Sequence, residues 1–447
     1  MDRLLPSREQ LIENGFPYGK ADENIPLGNP QTEWMRTCPD RVLYLPHNTD
    51  GYDTDNCQLR VFENPKEKEL LALWTQSSVE GAGDNRMVIA RSKDGVLWSE
   101  PKVICGANTK NDFQASHAIQ AVTESGRIYI FYMKETENYD NNRQESGALY
   151  AMYSDDGART FSPAQEIKMP RSQYDNPDPA KNKNIVFWQP PIKDRNGRFI
   201  TGATLYSSHS IYPPMPNWVN ESAHLCMVRF ENLDADPQID EICLTWLPKD
   251  DKLIGVKNSV YPEMDTAEEP SLALLPDGRI FVTMRTMTGY AYYTVSSDDG
   301  ETFSDPEILR FANGEPAEQP LAPCPIYRVG EAEYLFFFHN NPGKRMGFDE
   351  MDKRPWTSNL ANYVRNPLYV SKGWFEKSSM QPVMLSHPVK LLDSGDVAVG
   401  PKMTAEVGTY TSICKWEGKW IFWYPDRKYY LLGKDVSEYI NEQTGAV

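Results

Sequence analysis

Residues 268 to 285, EEPSLALLPDGRIFVTMR, open on two adjacent acids, Glu268 and Glu269, and close on Arg285 after an apolar run and a turn. A Pro-Asp-Gly turn between two apolar runs predicts a β-hairpin carrying carboxylates at one end and a guanidinium at the other. An arginine inside an apolar strand is not buried without an anion. Its guanidinium keeps its charge and forms bidentate bonds to planar carboxylates, which a lysine does less selectively. Strand alternation sends adjacent side chains to opposite faces, which leaves Glu269 inward and Glu268 toward solvent.

Other reactive side chains are sparse. His117, His209 and His339 lie in FQASHAIQ, YSSHSIY and FFFHNNPGKR, and none has the spacing of a metal-ligand pair. No metal or cofactor site is expected. A histidine with a tyrosine is also the equipment of β-elimination on a uronic acid, which keeps a lyase as an alternative. Seven cysteines are scattered without a CxxC pair, so buried thiols are expected rather than zinc or a disulfide framework. Trp188, Gln189, Tyr212 and Trp218, in NIVFWQPP and IYPPMPNW, offer faces and amides for a sugar, or for packing.

These residues need a scaffold, and the sequence supplies one by repetition. A turn followed by a strand of aromatic and branched residues recurs as ENPKEKELLALW (63 to 74), ESGRIYIFYM (124 to 133), RNGRFITGATLY (195 to 206), PDGRIFVTMR (276 to 285), VGEAEYLFFFH (329 to 339) and WEGKWIFWY (416 to 424). Helical periodicity is confined to short possibilities near Arg8 to Asn14 and Val436 to Gln443. Six repeats of four-stranded size without helices predict an all-β, six-bladed β-propeller over residues 41–447, with residues 1–40 an arm packed on it. The tail YPDRKYYLLGKDV, with Asp426, Arg427 and Lys428, is expected to close the ring against an N-terminal strand.

Composition narrows the partners. The chain has 447 residues, 40% hydrophobic and 12% aromatic, which describes a packed soluble globule. Its net charge of -17 repels phosphate backbones, so nucleic acid is not an expected partner. No stretch approaches the roughly 20 apolar residues that cross a bilayer, so membrane insertion is not expected. MDRLLPSREQ lacks the apolar run of a secretory signal, which fits a cytoplasmic protein or one whose signal was removed.

A second motif carries a resemblance. SSDDGETF (296 to 303) reads Ser-x-Asp-x-Gly-x-Thr-aromatic, SDDGARTF (154 to 161) repeats it with Ala158 in the glycine position, and SKDGVLW (92 to 98) is a shorter copy. These resemble the Asp-boxes of the sialidase superfamily. The order Glu269, Asp277-Gly278, Arg285, Ser296 also resembles the sialidase hairpin that is followed by an Asp-box.

The resemblance implies a retaining exo-glycosidase that releases a terminal carboxylate-bearing sugar, sialic acid or a related 2-keto sugar acid, from a glycan. It implies three arginines on the substrate carboxylate: Arg60 in CQLRVFENP, where Leu59 and Phe62 depart from the family motif, Arg285, and Arg365 in VRNPLYVSKGWF with Arg345 as a rival. Tyr410 in YTSI is the implied nucleophile. Ionising an unperturbed phenol at pH 7 costs about 4 kcal/mol, so a base must take its proton, and Glu269 is that base. The general acid is Glu80 or Asp84, in the loop SSVEGAGDNRMVIARS. His339, Trp188 and Gln189 complete the expected contacts with substrate. The alternatives are a propeller glycosidase or lyase acting on another acidic or neutral sugar, and a carbohydrate-binding propeller without catalysis.

Overall fold

A computed structural model describes residues 27–47, 51–107, 113–213, 222–250, 252–257, 262–343 and 364–441. The possible helix near Arg8, Trp218 and the rival Arg345 lie outside these residues. The described chain is almost entirely β, with a four-residue α-helix at Glu438–Asn441 and three single-turn 3-10 helices. It divides into two compact units, the first made of residues 1–118, 365–368 and 390–447 and the second of residues 119–364 and 369–389.

In the first unit, Asp55–Glu63, Leu70–Ser77, Arg86–Ser92 and Lys102–Gly106 form an antiparallel meander. A second sheet joins Ser412–Trp416, Lys419–Asp426 and Tyr430–Asp435 to Arg41–Tyr44, with Val42 opposite Leu432. The tail therefore does pair with a strand from near the N-terminus. Trp74, Trp98, Leu59 and Val61 of one sheet pack with Leu43, Trp416, Trp423 and Leu431 of the other. Trp98 and Trp423 meet edge to face at 5.4 Å.

The second unit stacks its sheets through alternation. Along Phe199–Tyr206, Phe199, Ala203 and Leu205 pack with Tyr129, Phe131 and Leu149, while Ile200 packs on the other face with Leu272, Ile280, Val282 and Met284. The next hairpin repeats this: Ala273 and Phe281 turn away to Ile326, Phe336 and Phe338. Strands such as Ile280–Arg285 are buried on both faces, hence their near-continuous apolar reading. Successive four-stranded meanders stacked face to face are the packing of a β-propeller. All six repeated segments hold such a strand: Leu70–Ser77, Ile128–Lys134, Phe199–Tyr206, Ile280–Arg285, Glu333–Phe338 and Lys419–Asp426.

The Asp-boxes are turns held by their own side chains. Ser296 Oγ donates to Asp298 Oδ1 at 2.9 Å and accepts the Gly300 amide at 2.9 Å, while Thr302 gives its amide and hydroxyl to the two oxygens of Asp298. Ser154, Asp156, Ala158 and Thr160 make the same set of bonds. The glycine position is left-handed in both, φ 87° at Gly300 and 60° at Ala158.

Candidate functional site

In the second unit the hairpin of Glu268–Leu274 and Ile280–Arg285 sets Glu268 directly opposite Arg285, with a bulge between Glu268 and Ser271. Glu269 sits at φ 49°, and its amide donates to Thr204 Oγ1 at 2.7 Å. Arg285 Nη1 donates to Glu269 Oε1 at 2.9 Å, and its Nη2 lies 3.2 Å from Glu268 Oε2. All three side chains are buried. The expectation that Glu268 faces solvent is corrected. The bulge and the left-handed residue break strand alternation, so two neighbouring carboxylates meet one guanidinium. Burial first, and then Glu268, hold the nearby Tyr206 phenol well above its ordinary value.

Trp188 is buried and its indole N–H donates to the Pro270 carbonyl at 2.8 Å, so the ring packs beneath the hairpin rather than presenting a face to a sugar. Gln189 is buried beside it. Its carbonyl accepts Thr201 Oγ1, and its Nε2 has no hydrogen-bond partner among the described residues. His339 is buried, with its amide donating to Gln319 Oε1.

The first unit holds the other candidates. Tyr410 is half-buried at φ 60°, and its carbonyl accepts the Leu59 amide at 3.1 Å. Lys428, itself at φ 51°, is buried with its Nζ 5.4 Å from the centre of the Tyr410 ring. That ammonium lies 2.7 Å from Glu80 Oε2 and 3.3 Å from Glu406 Oε1, while Arg365 Nη1 donates to Glu406 Oε2 at 2.8 Å. Lys402 also contacts Glu80. Burial pushes the Glu406 carboxyl up, but Lys428, Arg365 and Lys402 outweigh it and hold it well below the usual carboxylate range. Burial pulls Lys428 down, but Glu406 foremost holds it above the usual lysine value.

Arg60 is fully buried and its Nη1 donates to the Leu59 carbonyl at 2.8 Å. Burial and Arg60 pull His117 down to about 3, so this imidazole is neutral at physiological pH. Asp84 is buried and accepts the Ser78 amide. Asp55 accepts the Glu80 amide, and burial raises its carboxyl to about 6 in spite of Lys428 and Lys402.

The structure thus joins Glu269 to Arg285 in one unit, and gathers Tyr410, Arg365 and Glu80 around Lys428 and Glu406 in the other. Sequence reasoning missed Lys428, Glu406, Lys402 and Asp55 as members of this cluster. Three consecutive charges at the turn between two aromatic strands, in YPDRKYY, were the available signal. Backbone strain marks the same places: Gln58, His117, Tyr410, Arg427 and Lys428 in the first unit and Glu269 and Asn340 in the second have positive φ without being glycine. Each such residue costs on the order of 1–3 kcal/mol and persists where its surroundings over-determine it. Among the described residues no group of acids, histidines and cysteines is arranged to hold a metal ion, and no helix is long and apolar enough to cross a membrane.

Comparison with known proteins agrees with this architecture. A Dyadobacter fermentans protein of unknown function superposes with a TM-score of 0.60 at 13% identity, covering 89% of this chain and 97% of that one. A Hadza microbial sialidase gives 0.57 at 12% identity, covering 88% and 68%. The NanB sialidase of Streptococcus pneumoniae gives 0.57 at 10%, covering 89% and 71%. At these identities the likeness establishes a shared fold. No curated protein matches the sequence. The family model for BNR repeat-like domains matches residues 68–371, well over half of the chain. By that match the chain belongs to the BNR repeat-like family, and it does so with the fold of the sialidases.

Proposed function

We propose that this protein is a retaining exo-glycoside hydrolase that removes a terminal carboxylate-bearing sugar, sialic acid or a related 2-keto sugar acid, from a glycan. The observation that carries the reading is Tyr410: a strained, partly exposed phenol set among buried charges. A carboxylate nucleophile would be repelled by a sugar that is already anionic beside its anomeric carbon, and a phenol is not. Tyr410 Oη bonds to the anomeric carbon as the glycosidic C–O bond breaks, and the phenol proton passes to Glu269. The leaving oxygen takes its proton from Asp84 or Glu80. Water then attacks the anomeric carbon from the face the aglycone left, opposite Tyr410, giving its proton to the acid residue's carboxylate as the C–O bond to Tyr410 breaks and Glu269 reprotonates the phenolate. Two inversions give net retention. Two lysines on Glu80 favour its charged form, which supports Asp84 as the donor.

Arg60, Arg285 and Arg365 serve the substrate carboxylate in this reading, with Gln189 and His339 as further contacts. This reading takes six blades, two stacked sheets within the first unit and four meanders within the second. There the nine-stranded sheet is two meanders joined by the short ladder Lys183 to Gly147 and Asn184 to Ser146. Most of the arm expected over residues 1–40 lies outside the described residues.

Incubation with aryl glycosides of sialic acid and other acidic sugars tests the reading, with NMR of the first-formed anomer. Turnover with retained configuration is expected. A folded protein that turns over none of the panel sinks it. A product absorbing in the near ultraviolet would mark a lyase instead, and a parent protein that binds an acidic sugar without turnover, with affinity unchanged by Tyr410→Phe, would mark a carbohydrate-binding propeller.

A further inference from the structure

The proposed reaction asks a tyrosine to become an anion, and a base alone answers only half of that demand. Once the proton has left, the phenolate must be stabilised where it stands. In the first unit the cation against the ring of Tyr410 is Lys428, and its placement is closely determined. It occupies a left-handed position, φ 51°, directly after another, Arg427 at 58°. Its carbonyl accepts the Asn56 amide at 2.7 Å, and Asn56 is itself held by Trp74 and Gln76. Glu80 and Glu406 grip the ammonium from two sides.

We propose that Lys428 is the electrostatic positioning residue of Tyr410: its buried ammonium, 5.4 Å from the ring centre, stabilises the phenolate that attacks the sugar. The inference rests on Tyr410 being the nucleophile. It adds a residue that neither the sequence motifs nor the family match assigns. Among the described residues of the first unit, the charged and titratable groups facing this pair include Glu80 and Lys402 from their loops, Glu406 with Arg365, and Asp55 and Cys57 from the strand Asp55–Glu63. Glu80 and Glu406 hold Lys428 in place and oppose its effect on the phenol. Removing one of them should therefore act on Tyr410 in the opposite direction to removing Lys428.

The test needs no substrate. Tyrosinate absorbance is titrated in the parent, Lys428→Met, Lys428→Arg and Glu406→Gln proteins, each as a difference against the same background carrying Tyr410→Phe, which isolates one phenol from the 24 tyrosines. Lys428→Met should raise the Tyr410 midpoint by about one pH unit or more, a tenfold loss of phenolate at fixed pH. Lys428→Arg should restore it, and Glu406→Gln should lower it. A midpoint that Lys428→Met leaves unmoved or lowers overturns the proposal. Should that variant not fold, Glu406→Gln decides: a lowered midpoint supports the proposal and an unmoved one overturns it. A coupled phenol in a protein that hydrolyses no acidic glycoside keeps Lys428's role and removes the hydrolase reading. An active hydrolase whose Tyr410 ignores Lys428 does the reverse.

Discussion

Glu268 and Glu269 are neighbours in sequence, yet both carboxylates reach the guanidinium of Arg285, at 3.2 and 2.9 Å. In a regular strand they would point to opposite faces. The bulge after Glu268 and the left-handed backbone of Glu269 turn them together, so both buried carboxylates meet one guanidinium.

Removing that cation takes a charged contact from both acids. Arg285→Met should therefore destabilise the fold by about 3–5 kcal/mol, because an uncompensated buried charge costs far more than the pair gains. Urea unfolding of the two proteins measures it, and a loss under about 1 kcal/mol would show that the carboxylates do not depend on Arg285.

Tyr410→Phe takes away one oxygen from a half-buried position. Its unfolding midpoint should barely move, while kcat on an activated aryl glycoside falls about a thousandfold or more. Equal activity of the two proteins would remove Tyr410 from the chemistry.

The two acid candidates are separable by leaving group. Asp84→Asn should slow glycosides with poorly departing alcohols far more than those with acidic phenols, which leave without a proton. Glu80→Gln should show no such selectivity, since its carboxylate is engaged by Lys428 and Lys402. The ratio of kcat/KM across a leaving-group series reads the difference.

Asp55 carries a pH signature. Burial raises its folded carboxyl to about 6 from an ordinary 3.8, so the folded state holds a proton there that the unfolded chain has already released. Below pH 4 both states are protonated and the group is silent; as pH rises through 6 its charge is forced into the fold and stability falls. The stability of Asp55→Asn relative to the parent should therefore improve by about 3 kcal/mol between pH 3.5 and pH 7.5, as measured by denaturant melts at both.

The Asp-boxes allow a matched pair. A Cβ at Gly300 would lie 2.9 Å from Ile200 Cδ1, and the residue sits at φ 87°, so Gly300→Ala should cost more than about 1 kcal/mol. At the equivalent Ala158, already strained at φ 60°, Ala158→Gly should be neutral or stabilising by up to about 1 kcal/mol. Thermal midpoints of both variants check the opposite signs.

Much of this molecule was legible in its residues. The strand alternation and the six turn-and-strand segments give the all-β architecture, because a period of two and the turn chemistry are local properties. That Glu269 and Arg285 share one hairpin was legible for the same reason, since a hairpin fixes its own register; that they pair with each other was not. The fate of Glu268 was not, because a bulge carries no side-chain signature. Nor was the grouping of Glu80 and Glu406 with Lys428, which depends on chain segments hundreds of residues apart and on two successive left-handed residues that are not glycine. Trp188 misled for a simpler reason: an indole suited to a sugar face is equally suited to a core, and only its bond to the Pro270 carbonyl distinguishes the two.

The pairing of Val42 with Leu432 has a consequence for how the protein is made. Roughly 390 residues separate these strands, and a ribosome adding about 5 to 20 residues per second needs on the order of 20 to 80 s to travel between them. Through that interval the early strand lacks its partner, and their shared sheet is completed only once Tyr430–Asp435 has been made. A nascent chain stalled before Tyr430 would leave the segment Arg41–Tyr44 exposed, an open invitation to chaperones or to a neighbouring copy.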